Sequence, residues 1–301
     1  MQPSPLVSIV TPCLNSGEFL EETIRSVLSQ DYPNVEYIVM DGGSTDGTLA
    51  ILDRYRDRLQ FVSQPDRGTA DAINRGFERS RGAILAWLSA DDTYLPGAIR
   101  RAADCLVAEP RCAAVYGEGY WTDETGRTLG RYPTVSPYSP AMFRQECPIC
   151  QPACFLRREP VEAVGRLDAT LHSAFDYDLW IRLSAAYPFA SIAQPLATSR
   201  MHRGNKSLGQ KRLMFEECIG LLRKHYGYVP VNWVFGSVSF ERDGGDQYFE
   251  PLRPSPVAYL RSLIVGSRYN RRHLPRYWGE WWSRIRVRNA SKLWKSPPPA
   301  G

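Results

Sequence analysis

The chain has 301 residues, 43% of them hydrophobic, and a formal net charge of +5. That is room for one large domain or two small ones with a substantial core. No apolar run approaches the roughly 20 residues of a membrane span. Met1-Gln2-Pro3-Ser4-Pro5 lacks the basic and apolar regions of a secretory signal, so a cytoplasmic protein is expected.

The seven cysteines are odd in number and scattered, which argues against a disulfide framework. Cys147-Pro148-Ile149-Cys150 has no fourth zinc ligand at suitable spacing, so these thiols read as free. Charge is unevenly placed. Residues 253–295 hold eleven Lys/Arg against Glu280, a net of +10. The remainder has 26 basic and 31 acidic residues, a net of −5.

Residues 6–11 read as a buried strand ending at Pro12. Asn15 and Glu18 have the spacing of a capping box. Beyond them Leu20, Ile24, Val27 and Leu28 form the apolar stripe of a helix, stopped by residues 31–34. Residues 35–40 are a second strand, running into Asp41-Gly42-Gly43-Ser44-Thr45-Asp46-Gly47-Thr48 and a helix to about 55. A short third strand at 59–63 leads through Gln64-Pro65-Asp66-Arg67-Gly68 to a helix at 69–80.

The fourth strand, Ile84-Leu85-Ala86-Trp87-Leu88, ends in Ser89-Ala90-Asp91-Asp92. Pro96 suits the first position of the helix predicted over 96–109. This alternation predicts a parallel sheet with right-handed crossovers, and its loops gather along one edge. Ligands bind beyond the carboxyl ends of such strands. Adjacent side chains of a strand point to opposite faces. Asp91 and Asp92 therefore take different partners, one a metal and the other a hydroxyl or neighbouring cation, unless both are solvated loop residues. A carboxylate-rich cleft with one arginine suits a phosphorylated ligand held through a cation. Neither a Gly-x-Gly-x-x-Gly fingerprint nor a phosphate loop is present.

Further on, a strand is predicted near 113–116 and a hairpin turn at 123–126. Residues 133–150, with four prolines, read as a long loop. A helix is predicted at 175–186, strands at 189–193 and 196–201, and a helix at 208–225. The Pro-rich end at 297–301 is expected to be disordered.

These segments resemble the family 2 glycosyltransferases of the nucleotide-diphospho-sugar transferase (GT-A) fold, over about residues 5–207. Ser8-Ile9-Val10-Thr11-Pro12 with Asn15 is similar to the family's opening strand and nucleotide loop, and residues 24–30 to its first helix. Residues 41–48 are similar to its second loop. Asp66-Arg67-Gly68 with Asp71-Ala72-Ile73-Asn74 resembles the third, and Ser89-Ala90-Asp91-Asp92 stands at the metal motif. Gln151-Pro152-Ala153 and Asp176-Tyr177-Asp178-Leu179-Trp180-Ile181-Arg182 resemble the acceptor-side strand and catalytic helix, and Arg200-Met201-His202 with Ser207 the closing motif. Three positions depart from the family's habit: Gly42 stands where a second acid is common, Leu14 where an aromatic is, and Phe175 where an acid is.

The resemblance implies an α/β, Rossmann-like GT-A domain over 1–207, with a mostly parallel sheet flanked by helices. A helical, basic, Trp-rich extension over 208–301 follows. It implies an inverting, metal-dependent transferase moving sugar from a nucleotide-diphospho-sugar to a hydroxyl, in surface-polysaccharide or lipid-linked glycan synthesis. Mg²⁺ or Mn²⁺ suits the oxygen ligands. Asp92 and His202 would hold the metal, and Pro12, Asp41, Arg67, Asp71 and Asp91 the donor. Inversion needs a base on the acceptor hydroxyl. Asp176 and Asp178 both qualify; Asp176 aligns with the family base, and Asp178 has ion-pair spacing to Arg182.

Two rival readings are a nucleotidyltransferase of related fold and a nucleotide-sugar-binding protein without turnover. The first expects a Gly-rich loop with Arg and Lys after the first strand, which residues 11–17 lack. The second is set against Asp92, His202 and Asp176. Arginines interleaved with aromatics in 253–295 suit an anionic membrane surface at the inner face of a membrane; a solvated face of packed helices is the plainer alternative. No nucleic-acid partner is expected.

Overall fold

The computed structural model describes residues 4–205, 209–244 and 255–286. Ser207 and the Pro-rich end lie outside them, as does Trp294 of the basic tail. The chain divides into two compact units. One comprises Met1–Pro140 and Pro148–Met201, the other Ala141–Cys147 and His202–Gly301.

The first unit is built on one sheet, with nine strands among the described residues in the order β3-β2-β1-β4-β8-β6-β9-β5, and β7 beside β6. Four strands are mutually parallel: β1 (Val7–Cys13), β2 (Val35–Asp41), β3 (Gln60–Ser63) and β4 (Ile84–Trp87). β1 and β4 are buried throughout, as continuous apolar runs in a two-sided sheet should be. Helices α1 (Leu20–Leu28), α2 (Thr48–Arg54) and α3 (Thr69–Arg79) supply the crossovers. At Gly76 of α3 an added Cβ would lie 2.4 Å from Val10, so only glycine lets this helix lie so close to β1.

The other half of the sheet is mixed in direction. Strand β8 (Cys154–Arg157) is antiparallel to β4 and to β6 (Ala114–Thr122). β7 (Thr128–Arg131) closes the expected hairpin, with Asp123 accepting from Thr125 and Arg127 in the turn. The two strands predicted at 189–201 are one, β9 (Phe189–Arg200), parallel to β6, with register shifts near Gly117 and Glu118. β5 (Thr93–Tyr94) pairs with it antiparallel.

Helix α4 (Ala98–Ala108) begins after Gly97, whose φ of +75° is left-handed, so Pro96 precedes the helix instead of opening it. The capping box at Asn15 and Glu18 is not formed either. Asn15 has φ +51°, and its side chain accepts from Thr45 N–H (2.9 Å) in the next loop. Helices α5 (Arg158–Val164) and α6 (Phe175–Ala186) complete this unit. The second unit carries α7 (Lys211–Tyr226), α8 (Val231–Asp243), α9 (Pro256–Tyr269) and α10 (Leu274–Arg286). No helix of the described residues is long and apolar enough to cross a membrane.

Candidate active site

The loops after β1, β2, β3 and β4 meet at the carboxyl edge of the parallel strands, and side chains lock the first two together. Asn15 N–H donates to Ser44 Oγ (2.7 Å), Ser16 N–H to Thr48 Oγ1 (2.9 Å), and Gly17 N–H to Asp46 Oδ2 (3.0 Å). Pro12 is buried within β1, opposite Met40.

Asp41 ends β2 and builds its loop. Its carboxylate accepts from the backbone of Gly43 (3.2 Å) and Ser44 (3.0 Å) and from the hydroxyls of Ser44 and Ser63. Burial alone would raise this carboxyl, yet the Ser44 and Ser63 hydrogen bonds hold it below the usual range. Its nearest chemistry is the shape of its own loop. Asp71, in the first turn of α3, is likewise engaged: both Nε and Nη2 of Arg67 donate to Asp71 Oδ1, at 3.2 and 2.6 Å. The Arg67 side chain is itself well exposed, so Asp71 orients a guanidinium that faces outward.

Asp91 and Asp92 follow β4 on a loop held by two residues of α1 and one just past its end. Thr23 Oγ1 donates to Asp92 O (2.8 Å), Tyr94 N–H to Ser26 Oγ (3.1 Å), and Gln30 Nε2 to Leu95 O (3.0 Å). Thr23 and Ser26, three residues apart, share a face of α1, and these contacts account for Ser26 and Gln30 of the 24–30 motif. Asp91 is half-buried; Asp92 is buried, and its Oδ1 accepts from Arg200 N–H (3.0 Å). Desolvation, then the charge of Asp91, pushes the Asp92 carboxyl well above the ordinary range. A divalent cation at these carboxylates would relieve both effects, so the pair fits the metal the family implies. Among the described residues no three His, Cys, Asp or Glu side chains group as a metal site, so the donor's own oxygens would complete the shell.

α6 is anchored to β4 by Trp180, whose ring stacks on Trp87 with centroids 5.5 Å apart. Gln151 Nε2 donates to Trp87 O (2.9 Å), tying the segment before β8 to the same strand end. Asp176 is half-buried in the first turn of α6, accepting from Tyr177 N–H (2.7 Å). Asp178 is buried and receives Arg182 Nε at 2.7 Å, while Arg182 Nη2 and Nη1 also donate to the carbonyls of Arg166 and Val164. The two acids thus differ: Asp178 belongs to a structural cluster, and Asp176 lies at the helix entrance. His202 belongs to the second unit; its N–H donates to Asn205 Oδ1 (2.5 Å).

Two roles are invisible in the sequence. Arg200 is buried at the end of β9, where Nη2 pairs with Glu22 of α1 and Nε donates to Asp91 O (3.0 Å). Nη1 donates to Glu124 O (2.8 Å) of the β6–β7 turn, so one side chain fixes the acidic loop to two other elements. Asp66 is the other. A Cβ on Gly42 would stand 2.8 Å from Asp66 Oδ2 and 3.5 Å from Leu14 Cδ1. Asp66 Oδ1 accepts from Gly68 N–H (2.8 Å), which aims Oδ2 into the room that Gly42 leaves. Leu14 beside it is 57% exposed, unusual for so large an apolar side chain in this unit. The signals were present as the two departures, Gly42 and Leu14; only the fold shows that they meet.

Comparison with known proteins agrees with this architecture. The model of glycosyl transferase family 2 matches residues 8–165. An uncharacterized glycosyltransferase of Rickettsia conorii is 30% identical over 71% of this chain and 37% of its own length. The chondroitin synthase of Escherichia coli is 27% identical over 75% of this chain and 34% of its own. The chain thus spans little more than a third of either relative. Among solved structures, the mannosyltransferase PcManGT from Pyrobaculum calidifontis, in complex with GDP-Man and Mn²⁺, superposes with a TM-score of 0.58. It covers 97% of this chain and 78% of that one at 18% identity, a likeness of fold. With its motifs in order on that fold, the chain belongs to glycosyl transferase family 2 and has the GT-A architecture.

Proposed function

We propose that the protein is an inverting, metal-dependent glycosyltransferase that moves a sugar from a nucleotide-diphospho-sugar to a hydroxyl of a glycan or lipid-linked acceptor. Its setting is surface-polysaccharide or lipid-linked glycan synthesis at the cytoplasmic face of a membrane. The observation that carries this reading is the Asp91–Asp92 pair after β4, a half-buried and a buried carboxyl, in which burial and the charge of Asp91 oppose ionisation of Asp92. The named activity of the chondroitin synthase and the GDP-Man and Mn²⁺ of the mannosyltransferase complex support it.

Asp92 would hold Mg²⁺ or Mn²⁺, with His202 joining it on the strength of the closing motif alone. When bound, the cation neutralises charge that builds on the leaving diphosphate. Asp91 meets ribose or sugar hydroxyls, and Arg67, oriented by Asp71, meets phosphate. Asp66 Oδ2 accepts a base N–H in place of the acid that Gly42 lacks, with Leu14 under the base. Asp176 takes the proton of the acceptor hydroxyl as its oxygen bonds to the anomeric carbon and the bond to the diphosphate breaks. The nucleoside diphosphate then leaves.

The test is a panel of nucleotide sugars with Mn²⁺, scored by thermal stabilisation and by release of nucleoside diphosphate. One donor should stabilise the protein and turn over with a suitable acceptor. Absence of stabilisation by every nucleotide sugar would defeat the proposal.

A further inference from the structure

Helices α9 and α10 form a hairpin whose inner side is fixed. Ala258, Ser262 and Gly266 of α9 face Tyr277 and Trp281 of α10, all buried. A Cβ at Gly266 would lie 1.9 Å from Tyr277 Oη, and that hydroxyl donates to Ser262 O (2.8 Å). Trp281 Nε1 donates to Tyr259 O (3.0 Å). Asn270, between the helices, accepts from Val229 N–H (2.8 Å) and donates to Val229 O (2.9 Å). The hairpin is therefore part of the second unit, not a loose tail.

Its outer side is apolar where solvent should favour polar groups. Val257, Leu260 and Ile264, at i, i+3 and i+7 of α9, are 57–62% exposed. Trp278 and Trp282, one turn apart on α10, are 50% and 53% exposed. These are five of the seven large hydrophobics exposed among the described residues. Between Leu263, Trp278, Trp281 and Trp282 opens a cleft of about 410 Å³. Trp278 Nε1 donates to Ser267 Oγ (2.9 Å), which fixes that indole at the surface.

Charge identifies what covers this face. Residues 255–284 hold six arginines and a single acid, Glu280. Glu280 is turned inward, accepting from Val231 N–H (3.0 Å) and Tyr228 Oη (2.5 Å). Arg268, Arg271 and Arg272 are exposed, while Arg261 pairs with Glu241 (3.1 Å) and Arg276 lies over the ring of Tyr228. An occupant must offer hydrocarbon to the ridge and negative charge to its border. A bilayer containing anionic lipid offers both, and tryptophan is favoured at its interface.

We infer that the outer face of the α9–α10 hairpin is a membrane-docking surface. It lies in the plane of an anionic bilayer, with Leu260, Ile264, Trp278 and Trp282 about 5–10 Å below the headgroup boundary. This deepens the membrane setting proposed for the enzyme. It is read without donor or transfer, so either can fail while the other stands.

The experiment is co-sedimentation of the full chain with vesicles of phosphatidylcholine, with and without phosphatidylglycerol. Size-exclusion mass and thermal midpoint are the controls. The wild-type chain should bind vesicles containing phosphatidylglycerol and bind phosphatidylcholine alone weakly. Ile264→Gln/Trp282→Gln should lower partition at least tenfold. Arg268→Gln/Arg272→Gln should lower it about twenty-fivefold, on roughly fivefold per arginine near such a surface. Lipids brominated along the acyl chain should quench tryptophan emission in wild type, and less in the Ile264→Gln/Trp282→Gln variant. Failure of the wild-type chain to sediment with anionic vesicles overturns the inference. So does equal partition of folded variants. A wild-type dimer that the ridge variant converts to monomer, with no vesicle binding, would assign the face to a second copy instead.

Discussion

Asp41 ends β2 and Asp92 lies in the loop after β4, the two strands that flank β1 in one sheet, and both are buried, yet their carboxyls are shifted in opposite directions. Asp41 receives two backbone N–H groups and two hydroxyls and sits below the usual carboxylate range. Asp92 shares its loop with a second acid and is pushed well above that range by burial and by Asp91. A carboxylate surrounded by donors builds the fold, while one buried beside another acid fits a cation. Two acids of α6 differ in burial and pairing: Asp178 is buried and paired with Arg182, while Asp176, two residues earlier, is half-buried at the helix entrance.

The division predicts that one class of substitution removes chemistry and the other removes stability. The largest effect is expected from Asp176→Asn. Transfer should fall about a hundred- to ten-thousand-fold, with donor affinity and thermal midpoint close to wild type. If Asp178→Asn abolished transfer in a fully folded protein while Asp176→Asn kept it, the assignment would be reversed. Asp178→Asn is instead expected to be a stability variant. An exposed pair at this spacing is worth only about 0.2–0.5 kcal/mol. Here the carboxylate is buried and its partner clamps carbonyls of the α5–α6 connection. Breaking such a pair costs about 3–5 kcal/mol, which a urea titration would measure.

Acid should separate Asp41 from Asp92. The depressed Asp41 carboxyl contributes stability that is present above its unfolded value and lost as pH falls through its folded value. The raised Asp92 carboxyl does the reverse: its contribution is present at low pH and is lost as pH rises through the folded value. Asp41→Asn should therefore lower the thermal midpoint at neutral pH, by about 1–3 kcal/mol of stability, and matter less in acid. Asp92→Asn should raise the midpoint of the cation-free protein at neutral pH and leave it unchanged in acid. Melting curves from neutral pH downward in the presence of chelator check both signs.

The smallest predicted effect concerns the base. Asp66→Asn should weaken binding of donors whose base bears a ring N–H, such as uracil or guanine, by about tenfold, the value of one charged hydrogen bond. Gly42→Asp alone crowds Asp66, whereas Gly42→Asp with Asp66→Ala should recover most of the affinity. Equal affinity of wild type and Asp66→Asn across a nucleoside diphosphate panel would remove Asp66 from the site.

The parallel half of the sheet was legible because its strands are unbroken apolar runs separated by helical stripes. β9 was not, because Pro195 and the register shifts beside β6 interrupt the pattern without ending the strand. The Asp178–Arg182 pair could be read off α6 by its spacing; burial of Asp178 could not, since it depends on the segment at 164–166. The work of Arg200 was hidden for a like reason, its partners lying 76 to 178 positions away. Asn15 satisfied a local capping rule and was drawn instead to Thr45 by the contact between loops.

The central claim is that the Asp91–Asp92 loop binds the donor through a divalent cation. Titration calorimetry of the donor identified by the panel, with Mn²⁺ and with chelator, on wild type and Asp92→Asn, tests it most directly. Binding should be tight for wild type with Mn²⁺ alone, and weak with chelator or in Asp92→Asn under either condition. Equal wild-type affinity with and without the cation would contradict it.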